Sequence, residues 1–249
     1  MRLFFICFSI FWTFICLPAK AENIHIAVAS NFAAPIKALT PVFEQKTGHH
    51  LISSVGATGK LYAQIQNGAP YQILLAADNT TPIRLANEGL GDKETLFIYA
   101  KGQLALWSIN PQTVTQNTDV LQTGDFKHLA IANPKVAPYG QRAQELIKTL
   151  KLEEKLKPKL IYGESIAQTF QFVQSGNATL GFVARSQITE NGKIKEGSAW
   201  VVPDSLSPPI EQMGIVLRPG QNKAEVRAFR DFLLSPEAQK IMLDFGYSF

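Results

Sequence analysis

The sequence predicts an α/β fold of two lobes joined by extended strands, and three observations carry that prediction. Short strand-like apolar runs alternate with segments whose apolar residues recur at helical spacing. One run, 96–108, is too long for an ordinary strand and is read as crossing from one lobe to the other. No internal repeat, low-complexity tract or Pro/Gly-rich linker interrupts the chain, so two lobes sharing crossing strands fit better than two domains on a tether.

Taken in order, the chain opens with Arg2, an apolar run over 3–17 and Ala19-Lys20-Ala21. This is the layout of a cleaved secretory signal peptide over 1–21. The competing reading, an uncleaved anchor, needs about 20 apolar residues, and this run is shorter. Lipid attachment at Cys16 calls for a small residue before it, where Ile15 stands. Cleavage removes Arg2 and Lys20, lowering the formal charge of +4 by two, and removes both cysteines, Cys7 and Cys16. The mature chain is then expected in the periplasm as a soluble protein held by packing alone, and thiolate catalysis and cysteine-bound metals are excluded. Composition is ordinary for a globular protein of 249 residues, 46% hydrophobic and 18% charged. The pI of 9.0 has no Lys/Arg block behind it, so nucleic acid is not an expected partner.

Strands are read at 24–29, 50–54, 72–76, 96–108, 129–133, 159–162, 180–184, 199–202 and 213–217, with helices between most of them. Ile36, Leu39 and Phe43 mark the core stripe of the first helix. A helix from Gln141 carries Ala143, Leu146, Ile147 and Leu150 on one face, and another from Ser165 carries Ile166, Phe170 and Val173, with Gly176 to end it. The last helix has Ser235 as N-cap, Pro236 at its first position, Glu237 in its first turn and Gly246 beyond its end.

Three segments share one layout, in which a strand ends, a small polar residue follows and a helix begins. They are Ala29-Ser30-Asn31-Phe32, Val55-Gly56-Ala57-Thr58-Gly59-Lys60 and Gly163-Glu164-Ser165-Ile166. Each alone is weak evidence, because Ser, Thr and Asn at a helix start are usually plain N-caps. Together they place helix N-termini at the carboxyl ends of strands, where unpaired N–H groups and the positive end of the helix dipole favour an anion. Gly56–Lys60 has the wrong spacing for a phosphate-binding P-loop, and Leu61 stands where a magnesium-binding hydroxyl belongs. A fourth segment, Ala137-Pro138-Tyr139-Gly140, reads as a turn that projects Tyr139, either toward a ligand or over apolar surface. Arg142, Arg185 and Lys60 are read as solvated, with a role in steering anions if they lie near the cleft.

Catalytic patterns are sparse. His25, His49, His50 and His128 are scattered, and neither a metalloprotease helix nor a nucleophile elbow occurs. The acidic candidates are Asp78 and Glu164, the residues on which a secreted hydrolase would rest. No enzymatic activity and no cofactor are expected.

The segments Ser30-Asn31, Gly56-Ala57-Thr58-Gly59, Gln64-Ile65-Gln66-Asn67-Gly68-Ala69-Pro70, Ala76-Ala77-Asp78, Ala137-Pro138-Tyr139-Gly140, Gly181-Phe182-Val183 and Ser235-Pro236-Glu237-Ala238-Gln239 run through the whole mature chain. With them the chain resembles the periplasmic molybdate-binding proteins of ABC importers, within the type II solute-binding proteins. The resemblance implies a two-lobed periplasmic binding protein fold, each lobe a mixed, mostly parallel sheet flanked by helices, with the ligand in the inter-lobe cleft. On that pattern lobe I comprises 22–102 plus 211–249 and lobe II comprises 103–210. It implies Ser30, Asn31, Thr58, Tyr139 and Ile166 as the ligand residues, Ile166 through its backbone N–H. They act as donors to the oxygens of molybdate or tungstate, without a direct bond to the metal. The implied partner is an ABC membrane permease, and the protein is expected to be a monomer. Two departures mark a branch of the family: Ala57-Thr58 replaces a Ser-rich loop, and Ala184 stands where many members carry a tyrosine, while Tyr139 supplies a phenol from elsewhere. A binding protein for a smaller oxyanion such as sulfate is the alternative, favoured if Arg185 reaches the cleft.

Overall fold

A computed structural model of the chain describes residues 21–115 and 119–249. The signal-peptide expectation therefore lies outside the described residues, save for Ala21. Among the described residues no helix is long and apolar enough to cross a membrane.

The strands form two five-stranded sheets. The first has the order β2-β1-β3-β12-β4, built from β1 (Asn23–Ala29), β2 (His50–Gly56), β3 (Ile73–Leu75), β4 (Phe97–Gly102) and β12 (Ile210–Val216). The second has the order β11-β5-β8-β6-β7, from β5 (Leu104–Ser108), β6 (Leu129–Ala132), β7 (Leu160–Gly163), β8 (Leu180–Ala184) and β11 (Ser198–Val201). β1 runs parallel to β2 and β3, and β6 parallel to β7 and β8, while the crossing strands β12 and β5 pair antiparallel with their neighbours. A small hairpin of β9 (Thr189–Glu190) and β10 (Lys193–Ile194) stands apart.

The run read as one strand over 96–108 is two, β4 and β5, separated at Gln103 and belonging to different sheets. Lys101-Gly102-Gln103 interrupts the run at the division, but apolar patterning does not show that the two halves pair in different sheets. The chain returns between β11 and β12. There Ile210 pairs with Gly102 in the first sheet while its side chain packs in the core of the second lobe.

Helices cover the sheets: α1 (Ala33–Thr47), α2 (Thr58–Gln66) and α3 (Thr80–Asn87) on the first lobe, and α4 (Asp119–Thr123), α5 (Pro138–Thr149), α6 (Glu153–Leu156), α7 (Ile166–Gln174) and α8 (Arg185–Ile188) on the second. α9 (Ala224–Leu233) and α10 (Pro236–Asp244) follow the return crossing and pack with α1. Phe43 and Phe229 meet edge-on with ring centroids 5.2 Å apart, a contact contributing about 1 kcal/mol beyond its buried area. The expected core residues Ile36, Leu39 and Phe43 are buried, and Ser235 caps α10 by accepting from the Ala238 N–H.

One boundary differs at a place that matters. The Ala137-Pro138-Tyr139-Gly140 segment is not a free turn before a helix at Gln141. It is the N-cap and first turn of α5, with Pro138 at the first helical position. Proline lacks the N–H that a helix start leaves unpaired and its φ is already helical, so the helix begins there. Tyr139 is thus held on a helix.

Candidate functional site

Within three residues of the ends of β1, β2 and β7 a turn of helix begins, at Ser30, Thr58 and Ile166, and α5 adds a fourth helix start after β6. The 3-10 turn Ser30–Phe32, α2, α5 and α7 all point their N-termini at one small cavity. It is walled by Ala29, Ser30, Asn31, Gly56, Ala57, Thr58, Ala77, Ala137, Pro138, Tyr139 and Ile166. All five residues singled out from sequence border it, and each is 5% exposed or less. Ser30, Asn31 and Thr58 come from the first lobe, Tyr139 and Ile166 from the second.

No lining residue carries a formal charge. What the walls offer are hydroxyls and the N–H groups of helix first turns, which have no intrahelical acceptors. Such a shell suits an anion that carries no proton, because it offers many donors and few acceptors. Thr58 shows how the polarity is set. Its Oγ1 accepts the Ala77 N–H at 3.1 Å, which leaves the hydroxyl proton as its contribution to the cavity. Tyr139 has a buried hydroxyl that makes no hydrogen bond. Burial, and then the proximity of the Tyr247 phenol, push its pKa well above the ordinary value, so it stays a neutral phenol.

Asn31 is held from behind. Its Nδ2 donates to Gln212 Oε1 and to the Tyr247 hydroxyl, both at 2.8 Å, so the donor it has left for a ligand is its backbone N–H. Its carbonyl accepts the Ser186 hydroxyl at 2.8 Å, a bond from α8 of the second lobe. None of Gln212, Tyr247 and Ser186 was legible as a site residue in the sequence, for each lies far along the chain from Asn31 and in no motif of its own.

The lobes are closed on each other. Gly59 N–H donates to the Val136 carbonyl at 2.9 Å, and a Cβ on Gly59 would come within 3.0 Å of that residue's backbone, so glycine is what allows the approach. Lys60 Nζ meets Glu164 Oε2 at 2.7 Å across the outer edge. Ala29, Ala57 and Ala77 join the apolar cluster of the second lobe.

The charged candidates lie elsewhere. Arg185 is absent from the lining; its guanidinium donates to Gln103 Oε1 at 2.6 Å. Arg142 pairs with Glu145 at 3.3 Å. Asp78 accepts from the Thr81 N–H and hydroxyl at the start of α3, and burial raises its carboxyl pKa against the pull of those bonds. Glu164 is exposed and paired with Lys60. Neither acid borders the cavity, and among the described residues no cluster of His, Cys, Asp or Glu could hold a metal ion.

Two sheets joined by crossing strands, closed over a neutral cavity ringed by helix N-termini, define a two-lobed ligand-binding protein. The chain belongs to the bacterial extracellular solute-binding protein family, whose model matches residues 24–248. It is 47% identical over 229 residues to the molybdate-binding protein ModA of Azotobacter vinelandii, covering 92% of this chain and 91% of that one. The molybdate-binding protein ModA of Rhodobacter capsulatus is 43% identical over 233 residues, covering 94% and 91%. The solved periplasmic molybdate-binding protein of Azotobacter vinelandii superimposes with a TM-score of 0.88 at 35% identity, over 91% of this chain and 99% of that one. A sulfate-binding protein of Mycobacterium tuberculosis shares the fold, with a TM-score of 0.76 at 14% identity, over 91% and 86%.

Proposed function

We propose that this protein captures molybdate outside the cytoplasmic membrane and hands it to an ABC import permease. The observation that carries this reading is the uncharged cavity where four helix starts converge, in a chain nearly half identical to a molybdate-binding protein. Ser30, Asn31, Thr58, Tyr139 and Ile166 are the proposed donors, Asn31 and Ile166 through backbone N–H groups. A rigid shell of this kind selects by radius, admitting molybdate and the similar tungstate and fitting the smaller sulfate poorly. It also disfavours hydrogen phosphate, whose proton needs an acceptor.

The protein works in the periplasm after its leader is removed, as a monomer, with no resident cofactor and no catalytic step. Closure of the lobes buries the anion and presents the closed face to the permease. Arg185, whose reach into the cleft would favour sulfate, is engaged with Gln103 instead.

The test is the melting temperature of the mature, dialysed protein with molybdate, tungstate, sulfate, phosphate or ferric citrate. A ligand that binds only the folded state adds about 2.7 kcal/mol at a hundredfold excess over Kd. Shifts with molybdate and tungstate alone are expected; a shift with sulfate or phosphate, or none at all, overturns the proposed cargo.

A further inference from the structure

Gln212 lies on β12, the strand that returns from the second lobe, and is fully buried. The pairing of β12 with β4 slips at Gln212/Met213, an irregularity of the kind that often re-aims side chains beside functional sites. Every polar atom of this amide can be accounted for. Nε2 donates to the Ile210 carbonyl at 3.1 Å, which fixes the amide's orientation, because a carbonyl can only accept. Oε1 accordingly faces Asn31 and accepts its Nδ2 at 2.8 Å. One N–H of Nε2 remains. Beside it lies the Tyr139 hydroxyl, buried and without a hydrogen bond: a Cβ built on Gly102 would collide with that hydroxyl and sit 3.2 Å from Gln212 Nε2. The amide also opposes the rise in the Tyr139 pKa, as a donor to the phenol oxygen must.

Resting on the oxyanion reading above, we propose that Gln212 is a positioning residue for the bound anion. Its free N–H takes the Tyr139 oxygen as acceptor, so that the single phenol proton is turned toward the ligand. Gln212 touches no ligand itself. It makes Tyr139 an obligate donor, as the Ala77 N–H does for Thr58. A hydroxyl free to rotate would offer its lone pairs to the anion part of the time.

The experiment is a double-mutant cycle of Gln212→Met and Tyr139→Phe, with sodium molybdate as probe and titration calorimetry as readout. Gln212→Met in the parent is expected to weaken binding about tenfold, the equivalent of one hydrogen bond to a charged group. In the Tyr139→Phe background the same change should cost less than about threefold. Equal losses in both backgrounds would overturn the proposal, since Gln212 would then act only by supporting Asn31 or the strand. Should Gln212→Met fail to fold, the side-chain amide resonances of Gln212 in the wild type decide. One N–H should move on molybdate addition, and should not move in Tyr139→Phe; no movement in the wild type refutes the bond. A wild type that ignores molybdate refutes the cargo instead, and the cycle is then run with whichever of tungstate, sulfate and phosphate raises its melting temperature.

Discussion

The space that a side chain on Gly102 would fill is occupied by the hydroxyl of Tyr139. Gly102 ends β4 in the first lobe, whereas Tyr139 stands in the first turn of α5 in the second. The contact joins the crossing strand to the wall of the cavity, so the phenol can reach its place only when the two lobes meet and only where the strand carries no Cβ. Gly102→Ala is therefore expected to fold, since Gly102 is not in the left-handed region, and to lose molybdate affinity by about tenfold or more as the hydroxyl is displaced. Calorimetric titration beside an unligated melting curve checks both halves. An unchanged affinity would mean that the phenol contributes nothing.

Tyr139→Phe should separate stability from binding. The one donor beside the buried hydroxyl is the spare Gln212 N–H, so removing the hydroxyl should lower the melting temperature of the unligated protein by no more than one hydrogen bond's worth, about 1 kcal/mol. Binding should weaken by about 1.5 to 3 kcal/mol, the usual range for a hydrogen bond to a charged group. A variant that melts lower and binds normally would make Tyr139 a cover over apolar surface.

Thr58→Ala should do the reverse and lose on both counts. It deletes the acceptor of the buried Ala77 N–H, which costs about 1 to 3 kcal/mol of stability, and it removes a donor worth about 1 to 2 kcal/mol of binding. Thr58→Ser keeps the hydroxyl and should recover most of each. Unchanged affinity in Thr58→Ala would take this residue out of the ligand shell.

The Lys60–Glu164 pair bridges the lobes at their exposed edge, with both side chains about half exposed or more. An exposed pair contributes at most about 1 kcal/mol, and salt screens it. Glu164→Gln should thus alter molybdate affinity by less than about fivefold, with the change appearing mainly in the release rate and fading as salt rises. Stopped-flow release at two ionic strengths measures it; a hundredfold loss would place Glu164 in the binding machinery.

Asp78 gives a prediction in pH. Burial raises its carboxyl above the unfolded value, so the folded state binds the proton more tightly than the unfolded chain does. Its stabilising effect is present below the unfolded pKa, near 4, and is lost as the pH rises through the folded pKa. Asp78→Asn keeps a side-chain acceptor for the Thr81 N–H without the buried charge. It should melt above the parent at pH 7, and the gap should shrink as the pH falls through the raised pKa of the folded state toward about 4, below which it no longer changes. A gap that stays constant with pH would show that ionisation of Asp78 plays no part.

The sequence by itself determined the alternation of strands and helices, the polar residues at the helix starts, and a crossing between lobes in the run over 96–108. These are local properties: a 3.6-residue stripe, a cap or a proline at a first helical position acts over a few residues, and it acts the same way in any context. Ser30, Thr58 and Ile166 were accordingly legible as helix starts, and the resemblance to a family supplied the reason to group them with Asn31 and Tyr139. Only the tertiary structure decided that the run over 96–108 divides at Gln103 between two sheets, and that Tyr139 rides a helix and fills the space over Gly102. Only it, too, showed Arg185 and Asp78 to be occupied elsewhere. Gln212 and Tyr247, 181 and 216 residues from Asn31, met it when the chain returned to the first lobe, and Ser186, 155 residues away, met it across the closed lobes. Which hydroxyl donates and which amide holds it in place depends on groups brought together from distant parts of the chain, and no pattern within a short window of sequence encodes such a meeting.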